Sequence, residues 1–297
     1  MNFMQMLRKK WSEGKAICVG LDIDPLKVPD CIRLASPAAT ILDFNRKIVE
    51  ATRDLVCAYK PNAAFYEAYG EGGMSALKTT IQRIHDLAPD VPVILDAKRG
   101  DIGNTNEGYL KMAFEVLKAD AITVHPYLGA DALEPFLARA DKGIIVLCRT
   151  SNPGAGEFQD LFVNIDEEEA AVLDEECCAS CGPKARFYEY VAYQVSCRWN
   201  RNGNCAVVVG ATAPYQLADV RKIVGDMPIL IPGLGAQGGD LEKTVTAGKD
   251  SRNQGMIINL SRSVLYASKE ADFAEAARQE VQRVQTEITQ ILKGGMS

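Results

Sequence analysis

The 297-residue sequence predicts an α/β chain forming one (β/α)8 TIM barrel over residues 1–297, on three observations. Short apolar runs recur eight times, each separated from the next by a segment of helical character. Polar and glycine-rich groups follow most of those runs directly. The composition, 47% hydrophobic and 24% charged, supplies a full core, and barrels of this kind run to about 250 residues as one domain.

The candidate strands are residues 16–21, 55–59, 91–95, 121–124, 143–148, 206–209, 228–231 and 256–260. Each is short and apolar, as buried parallel strands are. Between them, 41–54, 73–87, 106–118 and 130–140 read as amphipathic helices, as does 185–200 further on. Alternation of this kind implies a parallel sheet covered by helices. Eight strands close a barrel, with a doubly wound open sheet as the alternative. Residues 159–184, after the fifth strand, form a strongly acidic insertion with seven acids between Asp166 and Glu176. It contains no motif and is expected as a surface excursion. Residues 272–292 predict a last amphipathic helix on the barrel exterior.

A net charge of −6 argues against a nucleic-acid partner, because no wide basic field is available. It leaves room for a small anionic ligand. No apolar run approaches the ~18 residues of a membrane span. Near the start, the basic cluster Arg8-Lys9-Lys10 follows the apolar residues, the wrong order for a secretory signal, so a cytoplasmic chain is expected. Of nine cysteines, Cys18, Cys57 and Cys148 lie in apolar runs and read as small core residues. The group Cys177, Cys178 and Cys181, with Cys197 and Cys205, raises zinc or a regulatory disulfide. Only Cys178 and Cys181 have zinc-ligand spacing, so free thiols are expected.

The most informative stretch is Asp96-Ala97-Lys98-Arg99-Gly100-Asp101, which closes the apolar run 91–95. On a regular strand Ile94, Asp96 and Lys98 share a face, with the two charges at its C-terminal tip. Unpaired burial of such charges would cost several kcal/mol each, by order of magnitude, so a pairing or a chemical use is required. Other polar groups follow other strands: Asp22-Ile23-Asp24, Lys60-Pro61-Asn62, His125-Pro126 and Thr150-Ser151-Asn152. Barrel sites form at the C-terminal ends of strands, where residues distant in sequence converge. An enzyme is therefore expected. The glycine-rich run 232–239 behind the seventh strand and Arg262 behind the eighth suit phosphate, through backbone N–H groups and a guanidinium fork. His85 reads as a surface or packing residue and His125 as structural support. Tyr66, Tyr69 and Tyr127 are candidates for the mouth of the site.

These motifs resemble the orotidine 5′-phosphate decarboxylase family, in its bacterial subgroup with an enlarged barrel. The resemblance rests on Gly20-Leu21-Asp22, Lys60-Pro61-Asn62, the string from Asp96 to Thr105, residues 232–239 and Ser261-Arg262-Ser263. It implies decarboxylation of orotidine 5′-monophosphate to UMP and carbon dioxide without metal or other cofactor, the last step of de novo pyrimidine synthesis. It further implies that Asp96 sits against the substrate carboxylate and that Lys98 supplies the proton to carbon 6. Lys60 would hold the charged array and Asp22 a ribose hydroxyl. Ser151 would contact the pyrimidine, and Gln237 and Arg262 the phosphate. Asp101 and Thr105 would reach the partner's site in a homodimer. A magnesium-dependent sugar-phosphate decarboxylase or aldolase of the same suprafamily is the alternative, and a nucleotide-binding module without catalysis a third reading.

Overall fold

The computed structural model describes residues 1–173, 182–235 and 238–294. The eight expected strands all form. They are β1 (Ile17–Gly20), β2 (Ala58–Lys60), β3 (Ile94–Arg99), β4 (Ala121–Val124) and β5 (Gly143–Arg149), followed after an excursion by β8 (Cys205–Val209), β9 (Ile229–Ile231) and β10 (Met256–Leu260). All neighbouring pairs are parallel, in the order β2-β1-β10-β9-β8-β5-β4-β3. Parallel bridges from Tyr59 to Val93 and from Asn62 to Asp96 then join β2 to β3. That closure makes the sheet a barrel and removes the open-sheet alternative.

Two cores flank the strands. Outward-facing residues such as Val19, Tyr59, Leu95 and Val207 pack against the helices. Inward-facing Ile94, Ile145, Val208, Leu230 and Ile257 fill the interior with Phe3, Leu7 and Trp11 of a helix that sequence reading had not singled out, Phe3–Ser12. Asn2 caps this helix in a reciprocal box with Gln5. The helix closes the N-terminal end of the barrel: Phe3 N donates to Asp141 O and Trp11 Nε1 to Met256 O at 2.8 Å. The opposite end is left open for a site.

Most expected helices appear with shifted ends. The stretch 41–54 is Pro37–Thr52, begun a turn early by a Ser36 cap and Pro37. The last helix is Phe273–Gly294, burying Phe273, Ala277, Val281, Val284 and Ile288 along one stripe. Helices Pro214–Val224 and Leu241–Gly248 complete the units after β8 and β9. No described helix is long and apolar enough to cross a membrane.

The insertion is more ordered than a bare excursion. Its ends pair as an antiparallel hairpin, β6 (Phe162–Asn164) with β7 (Lys184–Arg186), and helix Glu167–Leu173 lies between them in sequence. Ile165, Ala170 and Leu173 pack on Ala185 and Tyr193 in a small core of their own. Cys177, Cys178 and Cys181 lie outside the described residues, so the zinc and disulfide readings of that group are neither supported nor opposed.

Candidate active site

The C-terminal ends of the barrel strands open into a cavity of about 750 Å³. Asp22, Lys60, Asp96, Lys98, Ser151 and Arg262, contributed by the ends of β1, β2, β3, β5 and β10, all line it. Leu147, Val208 and Leu230 add apolar wall. Six residues proposed from sequence, up to 240 positions apart, are thus brought together by the barrel alone.

At the centre, two acids and two lysines alternate. Lys60 Nζ lies 3.0 Å from Asp96 Oδ2 and 3.9 Å from Asp22 Oδ1. Lys98 Nζ lies 2.7 Å from Asp96 Oδ1. Exposure divides the two lysines: the Lys60 side chain is 4% exposed and that of Lys98 50%. Lys60 is therefore a fixed internal cation, and Lys98 a cation presented to whatever enters. Burial would raise the Asp96 carboxyl, yet Lys60 and Lys98 outweigh it and hold it well below the usual carboxylate range. Burial would likewise lower Lys60, but Asp22 and Asp96 reverse this and raise it.

Asp96 and Lys98 do share the cavity side, although not by regular strand alternation. In β3, Leu95 pairs with Ile122 and Arg99 with Val124, so three residues of β3 stand opposite one of β4. The strand bulges there, and Lys98 adopts φ +48°. That conformation costs an L-residue about 1–2 kcal/mol.

Asp22 is held on its other side by Ser261, whose Oγ donates to Asp22 Oδ2 at 2.8 Å. Asn259 Nδ2 donates in turn to Ser261 Oγ at 3.2 Å. Gly20 makes this approach possible, since a Cβ there would lie 2.1 Å from Ser261 Oγ. Asp22 Oδ1 and Asn259 Oδ1 are buried with no hydrogen-bond partner among the described residues. A ligand hydroxyl or N–H would satisfy them at a site that otherwise bears their desolvation cost.

Arg262 opens helix Arg262–Leu265 and is exposed, and its guanidinium has no hydrogen bond or ion pair among the described residues. Beside it Pro232, Gly233 and Leu234 line the same cavity, with Gly233 at φ +105° turning the loop. Gln237 lies outside the described residues.

Asp101 and Thr105 do not line this cavity. The Asp101 amide donates to Asn106 Oδ1, and its own carboxylate accepts from Ile102 N. Thr105 borders a separate surface groove with Arg99 and Tyr109. His125 supports the turn after β3, its Nε2 3.0 Å from Gly100 O. His85 pairs with Asp120 at 3.0 Å, a packing role. None of the three tyrosines proposed for the mouth lines the cavity: Tyr66 is buried in the core and donates to Leu21 O, while Tyr127 stands out from the surface. Tyr266 lines it instead.

Sequence reading missed Thr123, Asn259 and Gln159, which also line the cavity, as does Thr150 of the expected polar group after the fifth strand. Thr123 and Asn259 are polar residues inside apolar strands, and that was the available signal. Gln159 corrects the view that the insertion holds nothing of the site. Its Oε1 accepts from Thr150 N at 2.8 Å, and neighbouring Asp160 pairs with Arg149 at 2.8 Å.

Fold and site together define a class: a (β/α)8-barrel enzyme whose cavity holds an acid–lysine array together with an arginine side chain unpaired among the described residues. The chain matches the model of the orotidine 5′-phosphate decarboxylase / HUMPS family over residues 15–278. It is 48% identical over 279 residues to the orotidine 5′-phosphate decarboxylase of Cupriavidus metallidurans, covering 94% of each. With that of Ralstonia pickettii it shares 46% over 291 residues, 98% of this chain and 99% of the other. The structure of Leishmania donovani OMP decarboxylase superposes with a TM-score of 0.76 at 35% identity, over 96% of this chain and 99% of that one. The chain belongs to the orotidine 5′-phosphate decarboxylase / HUMPS family.

Proposed function

We propose that this enzyme decarboxylates orotidine 5′-monophosphate to UMP and carbon dioxide, the last step of de novo pyrimidine synthesis. The observation that carries the reading is the Asp22–Lys60–Asp96–Lys98 array, with the Lys98 ammonium alone half exposed in the cavity. Arg262, with Gln237, grips the phosphate; Asp22 takes a ribose hydroxyl on its unpartnered Oδ1; Ser151 meets the pyrimidine. Asp96 then lies against the carboxylate to be lost. When the bond from carbon 6 to the carboxylate breaks, its electron pair stays on carbon 6 in an orbital the ring cannot delocalise. The Lys98 ammonium stabilises that charge and transfers a proton to it, and the resulting amine regains a proton from water. Phosphate contacts far from carbon 6 contribute binding energy where no bond changes.

The cation between Asp22 and Asp96 is the side chain of Lys60, which supports a reaction without a divalent metal there. We further propose a cytoplasmic homodimer in which Asp101 and Thr105 complete the partner's site. Their position outside the chain's own cavity supports this, as does the exposed apolar Ile102 beside Asp101 in sequence. Free thiols at the described cysteines suit a reducing compartment. The test is loss of orotidine 5′-monophosphate absorbance with the purified chain, with and without a chelator. Turnover unaffected by the chelator is expected. Absence of turnover would sink the reading, and turnover abolished by the chelator would favour the magnesium-dependent alternative.

A further inference from the structure

Three residues of β3, Asp96, Ala97 and Lys98, stand opposite the single residue Thr123 of β4. Such a bulge leaves backbone groups without their ladder partners. Here the Thr123 hydroxyl takes them up. Its Oγ accepts from Ala97 N at 3.0 Å and from Lys98 N at 2.9 Å, and donates to Asp96 Oδ1 at 3.0 Å. One donor and two lone pairs are the whole capacity of a hydroxyl, and all of it goes to the bulge. Thr123 is 1% exposed, so water does not compete for these bonds. The same Asp96 Oδ1 accepts from the Lys98 ammonium. Both ends of Lys98, its left-handed backbone and its charged tip, are therefore fixed through one buried oxygen.

We propose that Thr123 is a positioning residue for the decarboxylation, locking the β3 bulge so that Lys98 and Asp96 meet the reacting carbon as one rigid unit. The inference rests on the decarboxylase reading above. Removing the hydroxyl strands two amides, takes a donor from Asp96 and removes the bond that fixes the Lys98 amide at positive φ. The ammonium then hangs on a mobile stem, and a small misplacement of a reacting group is costly in rate. The Thr123 proton takes no part in the chemistry.

Thr123→Val keeps the β-branched shape and deletes the hydroxyl, whereas Thr123→Ser keeps the hydroxyl and loses a methyl. Thr123→Val is expected to lower kcat by more than about tenfold with KM changed less than about threefold, and Thr123→Ser to stay within about tenfold of the unaltered kcat. Affinity for UMP, which lacks the carboxylate, is expected to stay within about threefold in both variants, a readout that general loosening of the site would move. A Thr123→Val kcat within tenfold of the unaltered chain, a Thr123→Ser variant as slow as Thr123→Val, or a loss of UMP affinity matching the loss of kcat overturns the role. Should Thr123→Val not fold, Thr123→Ala is judged by the same measurements, and failure of both to fold would make the residue structural. If the unaltered chain itself has no turnover, the decarboxylase reading falls and this role with it; turnover intact in every variant removes the role alone.

Discussion

Lys98 Nζ sits 2.7 Å from Asp96 Oδ1, two residues earlier on the same strand, and on the other carboxylate oxygen Lys60 sits at 3.0 Å. A carboxylate clamped between two cations can neither rotate away nor readily take a proton. Lys98 is thereby held at the cavity wall through this pair, with half its side chain still open to a ligand. Charge placed beforehand where charge will develop is the largest single source of catalysis available to a site without a cofactor.

Replacing that lysine tests its use. Lys98→Ala is expected to lower kcat by about a thousandfold or more, since stabilisation of the carbanion and its proton are lost together. Its melting temperature should change little, because half the side chain already faces solvent. Activity above about a tenth of the unaltered chain would exclude Lys98 as proton donor.

Arg262 speaks for the other end of the substrate. Arg262→Ala should raise KM by about tenfold to a hundredfold, as loss of a charge-assisted bond of roughly 1.5–3 kcal/mol would do. Orotidine, which has no phosphate, should be turned over by both forms with nearly the same kcat/KM. An equal penalty on both substrates would exclude the phosphate role.

Lys60 gives a stability prediction with a definite sign. It is buried against Asp96 and near Asp22, so Lys60→Met leaves both acids without their internal cation. Breaking such a pair costs about 3–5 kcal/mol near neutral pH. The Asp96 carboxyl is depressed in the folded chain, so its contribution is present above the unfolded value of about 3.9 and is lost as pH falls through the folded one. In Lys60→Met that depression shrinks and Asp96 takes up a proton at higher pH. Urea unfolding should therefore show a penalty at pH 7 that narrows only as pH falls below about 3.9. A penalty independent of pH would mean that lost packing, not stranded charge, is responsible.

The insertion prediction follows from where the fold anchors it. Replacing 159–184 as a block removes Gln159 and Asp160, which hold Thr150 and Arg149 beside the cavity. That deletion is expected to impair turnover. Replacing 166–182 by a short glycine-serine turn keeps both anchors and the β6–β7 hairpin, at the cost of uncovering Ala185 and Tyr193. The shorter deletion should lower the melting temperature while kcat stays within about threefold. Equal loss of activity in both would place the acidic segment itself at the site.

The barrel was legible because parallel strands buried on both faces must be apolar, and eight such runs stand out against polar loops. Asp96 and Lys98 were legible for the opposite reason, as charges where an apolar strand ends. Thr123 and Asn259 were not. Each is one polar residue within an otherwise apolar strand, and its partners are set by register with neighbouring strands. The β3 bulge depends on the pairing of Leu95 and Arg99 with β4, which no local pattern encodes. Gln159 was missed because a boundary drawn on composition cut through a helix, Gly156–Gln159, that belongs to the site.

Sharing of sites between subunits is the most demanding prediction. Lys98 lines the chain's own cavity and Asp101 does not. If Asp101 acts in the partner's cavity of a twofold dimer, Lys98→Ala and Asp101→Ala should each be nearly inactive alone and rescue one another when mixed. In a heterodimer one site then carries both defects and the other neither. Random re-pairing of equal amounts makes about half the dimers mixed, so about a quarter of all sites are unaltered under closed twofold symmetry. Unfolding and refolding the two variants together should restore about that fraction of activity, while mixing without exchange restores none. Subunit exchange demonstrated by a tagged-chain pull-down, with no return of activity, would place Asp101 in its own subunit's site or outside both.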